Sequence, residues 1–247
     1  MNQNPVPEEI TYADFKCPHC GNPVSFPDRW IGLAQECPTC CQILIVPKNG
    51  AEMGLKLPLP IETPRLLLRR LAPVDSKDLL EIVADEDSFR YLEWNPLDVQ
   101  EVENWLVSDR STRLFQDEHN FCLAFELLEE PKVIGYIALV YRDADNRQMG
   151  FHAMVNRRYR CRGFAAEGIR AAMQFAFAGL NIHRLSNRCD CRNIAAVRML
   201  EKAGFRREAH CIKARFQKGE WIDFYLYALL QEEYVSAASN EGSPVKP

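Results

Sequence analysis

Short apolar runs separated by turn residues predict a domain of mixed helices and strands. The leucine-rich run at 65–71 is typical of a strand. Further along, Leu79, Leu80, Ile82 and Val83 fall on one face of a helix that Asp75 is expected to cap. The same reasoning predicts helices at 99–115 and 163–177, strands at 121–127, 133–141, 149–155 and 182–189, a helix from Asn193 to Gly204, and a closing hairpin of strands 205–216 and 221–230.

The composition suits one medium domain and one small one. The chain has 247 residues, of which 47% are hydrophobic and 26% are charged, so a packed core is expected. Its net charge of −4 argues against nucleic-acid binding by the chain as a whole. No apolar run approaches the roughly 18 residues of a membrane helix, and the start Met1-Asn-Gln-Asn lacks the features of a secretory signal. We therefore expect a cytoplasmic protein without a membrane partner.

Four cysteines near the start of the chain have the spacing of a metal site. Cys17-Pro-His-Cys20 and Cys37-Pro-Thr-Cys40 form two Cys-x2-Cys pairs, and each pair resembles a zinc-ribbon knuckle. In a cytoplasmic protein, thiolate ligands are expected rather than disulfides. A segment of roughly 45 residues has too little core to fold alone, so we predict that a structural zinc ion stabilises it. Its charges are too sparse to indicate nucleic-acid binding, which leaves a protein, ribosome or substrate partner as the alternatives.

The chain divides into four segments by these signals. Residues 1–50 form the predicted zinc ribbon, and residues 51–60 have the glycine and proline content of a linker. The predicted main domain covers residues 61–235. The small polar residues at 236–247 are expected to be disordered.

A short basic turn between a strand and a helix carries the strongest functional signal. The segment from Val155 to Glu167 ends a strand, turns at Gly163 and then begins a helix. Such a turn leaves backbone N–H groups unpaired at the positive end of the helix dipole, where phosphate oxygens bind readily.

Three stretches together resemble the GNAT superfamily of N-acetyltransferases. The spacing Arg160-x-x-Gly163-x-Ala165 is similar to the pyrophosphate loop of that superfamily. The opening Glu62-Thr-Pro-Arg65 and the segment from Asn193 to Phe205 are similar to its ribosomal-protein N-terminal acetyltransferase (Rim-like) branch. The resemblance implies an α+β fold with a mixed, mostly antiparallel sheet flanked by helices, preceded here by the zinc ribbon.

The same resemblance implies a site for acetyl-CoA. The loop amides would hold the CoA pyrophosphate, and Arg160 and Arg162 would add charge, unless Arg160 acts mainly through its backbone. The main chain at Met154 and Val155 would pair with the pantetheine arm. Asn193 occupies a position that contacts the cofactor in this branch, whereas Glu167 is given a structural role. The residues predicted to bind the cofactor are Met154, Val155, Arg160, Cys161, Arg162, Gly163, Phe164, Ala165, Ala166 and Asn193.

The catalytic residues stay unassigned, because the sequence departs from the family at several positions. Cys161 stands where the family usually has glycine, Leu200 where many members have a catalytic tyrosine, and Ala196 where the branch has serine. Gln148 lies near the usual strand glutamate and cannot accept a proton. The substitutes for that base that the sequence offers are His152 and Glu93.

Two functions follow from these observations. The first is an N-acetyltransferase in which a primary amine, on a small molecule or a protein N-terminus, attacks the thioester directly. An α-amine suits a site without an obvious base, since its pKa is about 2.6 units below that of a lysine amine. The second is a non-catalytic adaptor that binds acetyl-CoA and recruits a partner through its zinc ribbon.

Overall fold

The computed structural model describes residues 11–32, 34–40, 42–48, 50–56, 59–111, 120–143 and 146–240. The chain forms two compact units, of which the larger begins at Leu59. Within the described residues, no helix is long and apolar enough to span a membrane.

The N-terminal unit consists of two small antiparallel sheets around a few large side chains. Phe15, Val24, Phe26 and Leu44 are buried together with the first cysteine of each knuckle. So small a core leaves the predicted metal a large share of the folding free energy. The strands are β1 (Tyr12–Lys16) paired with β2 (Pro23–Pro27), and β3 (Ala34–Glu36), β4 (Ile43–Ile45) and β5 (Leu55–Lys56) in the second sheet.

The larger unit is built on one sheet of eight strands in the order β12-β13-β11-β10-β9-β8-β7-β6. All neighbouring strands are antiparallel except β10 and β11, which are parallel. The predicted mixed, mostly antiparallel sheet is therefore confirmed. The strands are β6 (Ile61–Glu62), β7 (Leu66–Arg70), β8 (Asn120–Leu127), β9 (Val133–Asp143), β10 (Gln148–Val155), β11 (Arg184–Asp190), β12 (Arg206–Gln217) and β13 (Glu220–Leu230).

Helices cover both faces of this sheet. The first two pack over a cluster that includes Ala124, Tyr136 and Met154. The third lies on the opposite face, where its Gly168 approaches Phe125, the strand neighbour of Ala124. The fourth lies on that same face, where its Glu201 accepts a hydrogen bond from the Tyr227 hydroxyl at 2.9 Å. The helices are α1 (Ser76–Val83), α2 (Val99–Ser111), α3 (Phe164–Gln174), α4 (Ile194–Lys202) and α5 (Gln231–Asn240).

The structure corrects the expected role of Asp75. This residue stands at the N-cap position of α1, but its side chain caps no helical amide. Its carboxylate instead accepts hydrogen bonds from both terminal nitrogens of Arg69 at 2.8 Å and from the amide of Ala72 at 2.7 Å. The ion pair prevails because Asp75 is buried beside a charged partner.

The C-terminal boundary also differs from the prediction. Helix α5 continues to Asn240, so residues 236–240 belong to it, whereas residues 241–247 lie outside the described residues. The Ser236 hydroxyl donates to the carbonyl of Glu232 at 2.8 Å, so this polar residue is accommodated within the helix. The predicted end of α2, residues 112–115, also lies outside the described residues.

The close approach of α3 to the sheet yields a stability prediction. A Cβ atom at Gly168 would lie 2.5 Å from Cζ of Phe125, which is too close for the native packing. We expect Gly168→Ala to lower the free energy of unfolding in urea by about 1–2 kcal/mol, because overpacking outweighs the better helix propensity of alanine.

The control for this prediction is a double-mutant cycle. Phe125→Leu makes room beside α3, so the same Gly168→Ala change should cost less in that background. An equal cost in both backgrounds would contradict the proposed steric conflict.

Candidate active site

The central feature of the site is a gap between β10 and β11. The two strands pair only at Gln148–Arg184, Met149–Leu185 and Gly150–Ser186. Just beyond, the side-chain amide of Asn187 donates to the carbonyl oxygen of Phe151 at 2.7 Å, where a regular ladder would have a backbone donor. The second half of β10 therefore has an edge that faces the gap.

The alternation of β10 decides which backbone groups face this gap. The amide of Asn156 donates to Ile134 of β9 at 2.8 Å. Met154 stands two residues earlier, so its backbone N–H and C=O groups also point to β9. The backbone groups of Ala153 and Val155 point the other way, to the gap. The expectation that Met154 offers its main chain to a ligand is wrong. Consecutive strand residues point their polar groups in opposite directions, so Met154 and Val155 cannot both face one ligand.

The loop after β10 has the predicted free amides. A 3-10 turn (Arg157–Tyr159) is followed by Cys161 and Gly163, whose φ angles are +60° and +84°, before α3 begins. The first amide bonded inside the helix is that of Glu167, which donates to Gly163 at 3.0 Å. Within the described part of the chain, the amides from Cys161 to Ala166 have no acceptor. These amides form an anion site at the positive end of α3.

Arg160 braces this loop with its side chain. Its Nε donates to the carbonyl of Val155 at 3.0 Å, and its Nη2 reaches the Ser88 hydroxyl and a carboxylate oxygen of Asp85. Of the two roles expected for Arg160, added charge or mainly a backbone contribution, these contacts favour the second, because the side chain points back toward the strand. Arg162 remains exposed, with its guanidinium carbon 5.6 Å from the ring centre of Tyr159.

Hydrogen bonds of Glu167 connect the loop to Thr63 and Arg65 near the start of the larger unit. Its carboxylate accepts from the Thr63 hydroxyl at 2.7 Å, and from the amide and Nε of Arg65 at 2.9 and 2.7 Å. Arg65 also donates to the carbonyl of Arg162 at 3.0 Å. Burial alone would raise the pKa of Glu167, but these hydrogen bonds and the Arg65 charge lower it overall. Two of the three stretches that carry the family resemblance thus meet at this carboxylate.

The candidate residues on α4 occupy its first two turns. Asn193 caps the helix, because its Oδ1 accepts from the amide of Ala196 at 3.1 Å. Leu200 is fully buried, so its side chain fills core space. Asn193 follows β11 by three residues and so lies close to the border of the gap.

Of the two base candidates, His152 and Glu93, only His152 lies on the part of β10 that borders the gap. Gln148 lies at the paired end of β10, and Glu93 forms an ion pair with Arg215. The His152 ring lies edge-on to Trp94 with centres 5.4 Å apart. Burial and the nearby Arg142 charge lower the pKa of His152 to about 4, so its imidazole is neutral at pH 7.

The four N-terminal cysteines converge in the N-terminal unit. Their sulfur atoms all lie within 4.8 Å of one another, with Cys17 and Cys40 3.7 Å apart and Cys20 and Cys37 3.8 Å apart. Tetrahedral zinc with Zn–S bonds of about 2.3 Å requires sulfur separations of about 3.8 Å. The cysteines therefore fit a four-thiolate zinc site.

Comparison with known proteins places the larger unit in a family. Residues 65–206, more than half of the chain, match the acetyltransferase (GNAT) domain family. The chain therefore belongs to the GNAT family of N-acetyltransferases, and this conclusion confirms the predicted fold and enzyme class. The match runs from the start of β7 to the first residue of β12 and includes the gap, the loop, α3 and α4.

Individual relatives agree with this family. The chain is 27% identical over 175 residues to "Uncharacterized N-acetyltransferase YnaD" of Bacillus subtilis, covering 70% of this chain and 98% of that protein. It is 24% identical over 139 residues to the spermidine N(1)-acetyltransferase of Vibrio cholerae, covering 56% and 75%. A crystal structure of spermidine N-acetyltransferase from Vibrio cholerae in complex with CoA and spermine superposes with a TM-score of 0.60 at 23% identity, covering 70% and 99%.

The hydrogen bonds of Glu167 with Thr63 and Arg65 lead to a second stability prediction. We expect Glu167→Gln to lower the free energy of unfolding at pH 7 by about 1–3 kcal/mol, because a charged acceptor of several hydrogen bonds is lost. The pKa of Glu167 is lower in the folded protein than in the unfolded chain, where it is near 4.5. The stabilisation by Glu167 is therefore complete above pH 4.5 and is lost as the pH falls through the pKa of the folded protein.

The measurement is urea unfolding of both proteins at several pH values. Glu62→Gln is the matched control, because Glu62 is a nearby exposed glutamate and its change should cost less than about 0.5 kcal/mol. A Glu167→Gln effect as small as that of Glu62→Gln would contradict the structural role.

Proposed function

We propose that this GNAT enzyme binds acetyl-CoA along the gap and loop and transfers the acetyl group to a primary amine. The CoA pyrophosphate would bind the amides of Cys161 to Ala166, and the pantetheine arm would pair with the main chain of Ala153 and with the amide of Val155, whose carbonyl already accepts from Arg160. One observation carries this proposal: the free amides of the loop and the unpaired edge of β10 lie in direct succession along the chain.

The chemistry that this arrangement supports is direct attack. The amine would attack the thioester carbonyl, and a β10 amide that faces the gap would stabilise the oxyanion of the tetrahedral intermediate. Collapse of the intermediate would break the carbon–sulfur bond and release CoA. His152 is the side chain best placed to receive a proton, although its low pKa makes it a weak base.

The acceptor is a primary amine of low pKa in this proposal. A weak base favours an amine that loses its proton easily, such as the α-amine of a peptide N-terminus. Membership of the Rim-like branch is part of the proposal and rests on the three stretches described above. A role at the ribosome has no support among the relatives described, and neither has a binding-only adaptor, because those relatives are named as N-acetyltransferases.

The cofactor site is tested with Ala165→Asp. An aspartate in the first turn of α3 favours the helix dipole, so folding should be preserved while its charge repels the pyrophosphate. We expect acetyl-CoA binding, measured by calorimetry, to weaken by about 100-fold, since like charges at short range cost several kcal/mol. Acetylated product, measured by mass spectrometry with peptides, amino acids and polyamines as acceptors, should fall in parallel.

Ala165→Ser is the control, because it changes the size of the side chain little and adds no charge. It should retain binding and turnover. Unchanged binding by Ala165→Asp would show that the pyrophosphate lies elsewhere, and binding without product from any amine would contradict the transferase reaction.

We further propose that the N-terminal unit forms a zinc ribbon, which extends beyond the expected residues 1–50 because β5 (Leu55–Lys56), inside the expected linker 51–60, pairs with β4. The ribbon would be held by Cys17, Cys20, Cys37 and Cys40. Burial raises the pKa of the Cys37 thiol, but the amides of Cys40 and Thr39 donate to its sulfur and lower the pKa overall to about 7, whereas burial raises the pKa of the Cys40 thiol to about 12. Such N–H···S bonds favour the thiolate that zinc requires. A metal with four protein ligands has no open position, which indicates a structural role.

Metal analysis tests the ribbon directly. We expect one zinc ion per chain by atomic emission, and Cys37→Ser should reduce this to a small fraction and unfold the N-terminal unit. Cys211→Ser is the control, since Cys211 lies on β12 of the larger unit. A wild-type protein purified without chelators that contains no zinc would contradict the proposal.

A further inference from the structure

Two side chains flank the gap on the face covered by α1 and α2. Gly150 and Ser186 are register partners at the last paired position of β10 and β11. Strand side chains alternate with a period of two, so His152 and Arg188, two residues further along each strand, project to the same face as these partners. Met154, two residues beyond His152, packs in the cluster under α1 and α2 and so identifies this face.

The proposed cofactor loop belongs to the opposite face. Helix α3, which the loop precedes, packs through Gly168 against Phe125 on that opposite face. A thioester bound from the loop would reach the gap from the α3 side. The attacking amine must then approach from the side of His152 and Arg188, because the other side is taken by CoA and by α3 and α4, whereas the α1 and α2 cluster contacts β8, β9 and Met154 but does not include Arg188.

Several acidic side chains around this approach have cationic partners, although the exposed Glu86 has none among the described residues. Glu93 pairs with Arg215 on the closing hairpin. Asp190 is almost fully buried and pairs with Arg192 at 2.7 Å. Asp85 and Asp87 lie within 3.9 and 3.0 Å of Arg157. These pairs leave little negative charge to attract a polycation.

Arg188 borders this approach and has no anionic partner among the described residues. It is exposed, and its guanidinium carbon lies 5.9 Å from the centre of the Phe224 ring. Within the described residues, it has no hydrogen bond or ion pair. Arg142 adds positive charge on the same face. It stands four residues after Ala138 on β9, so both side chains project to one face, and Ala138 is the register partner of His152. An exposed guanidinium of this kind can bind a carboxylate through two parallel hydrogen bonds.

We propose that this face selects an amine that carries a carboxylate near its amino group, such as an amino acid or a peptide with an acidic first residue. Arg188 binds the carboxylate and is thus a specificity-determining residue. The same positive charge disfavours polyamines, which are the substrates named for some relatives. This inference rests on the proposed function, because it assigns the acceptor of that reaction.

The experiment compares acceptors that differ only in a carboxylate. Amidated peptides that begin with aspartate or asparagine form one pair, an amino acid and its amide form another, and spermidine represents the polyamines. Acetylated product is quantified by mass spectrometry. We expect the carboxylate member of at least one pair to have the higher kcat/KM, by about 10-fold to 100-fold for a charge-assisted contact, and spermidine to react more slowly.

Arg188→Gln should remove this preference while acetyl-CoA binding stays unchanged, and Arg188→Lys should restore part of it. Arg29→Gln is the matched control, because Arg29 is also exposed with its guanidinium carbon 5.9 Å from an aromatic ring, in the N-terminal unit. It should leave the preference intact.

The outcomes separate the two claims. Turnover of spermidine at or above the rate of the carboxylate acceptors, or an Arg188→Gln variant with the wild-type preference, would overturn the inference and leave the acetyltransferase intact. Failure of the wild-type protein to bind acetyl-CoA and to acetylate any of the amines would overturn the proposed function itself.

Discussion

The separation of β10 from β11 after Gly150 is the constraint on which the site depends. A parallel pair requires a crossover, and here the crossover is α3, so the end of β10 leads directly into a helix N-terminus. Because the strands diverge, β10 keeps an unpaired edge just before the loop of free amides. Asn187 replaces one missing backbone partner with its side chain and thereby fixes where the gap begins. The divergence of β10 from β11 therefore leaves a backbone edge on β10, and the candidate anion site follows directly after it along the chain.

Polar contacts hold the two ends of this arrangement in place. At the helix side, Glu167 connects α3 to the turn before β7. At the strand side, Arg160 connects the loop to the carbonyl of Val155 and to Ser88. The family resemblance implies a structural role for Glu167 and assigns the charge of Arg160 to the ligand. Here both charges make contacts within the protein, and the proposed phosphate site consists of backbone amides. This division explains how Cys161 can replace glycine, since its contribution is an N–H group that any residue supplies, at the cost of a left-handed backbone.

The sequence predicted the elements well where the signal was local. The loop, the cap at Asn193 and the closing hairpin follow from residue types at fixed spacings, and each lies where it was expected. The errors concern what residues contact across the fold. Asp75 is a residue type that often caps a helix. Its role here is instead determined by its burial and its ion pair with Arg69, which the local sequence pattern does not reveal. Whether Met154 or Ala153 offers its backbone to a ligand depends on which residues of β10 direct their N–H and C=O groups to β9. The sequence of one strand does not determine this alternation. Ala153 had no local signal at all.

The proposed base His152 and the proposed carboxylate-binding residue Arg188 are compatible with a single mechanism. An imidazole with a pKa of about 4 cannot hold a proton taken from an ordinary lysine amine. An α-amine is easier to deprotonate by about 2.6 pKa units, or roughly 3.5 kcal/mol. A guanidinium beside the bound amine lowers the pKa of that ammonium further, because like charges disfavour the charged form. Arg188 would therefore act twice: it would attract the carboxylate of the acceptor and help its ammonium to lose a proton. Under this mechanism the enzyme needs no strong base, which accounts for a strand that carries Gln148 where the family usually has glutamate.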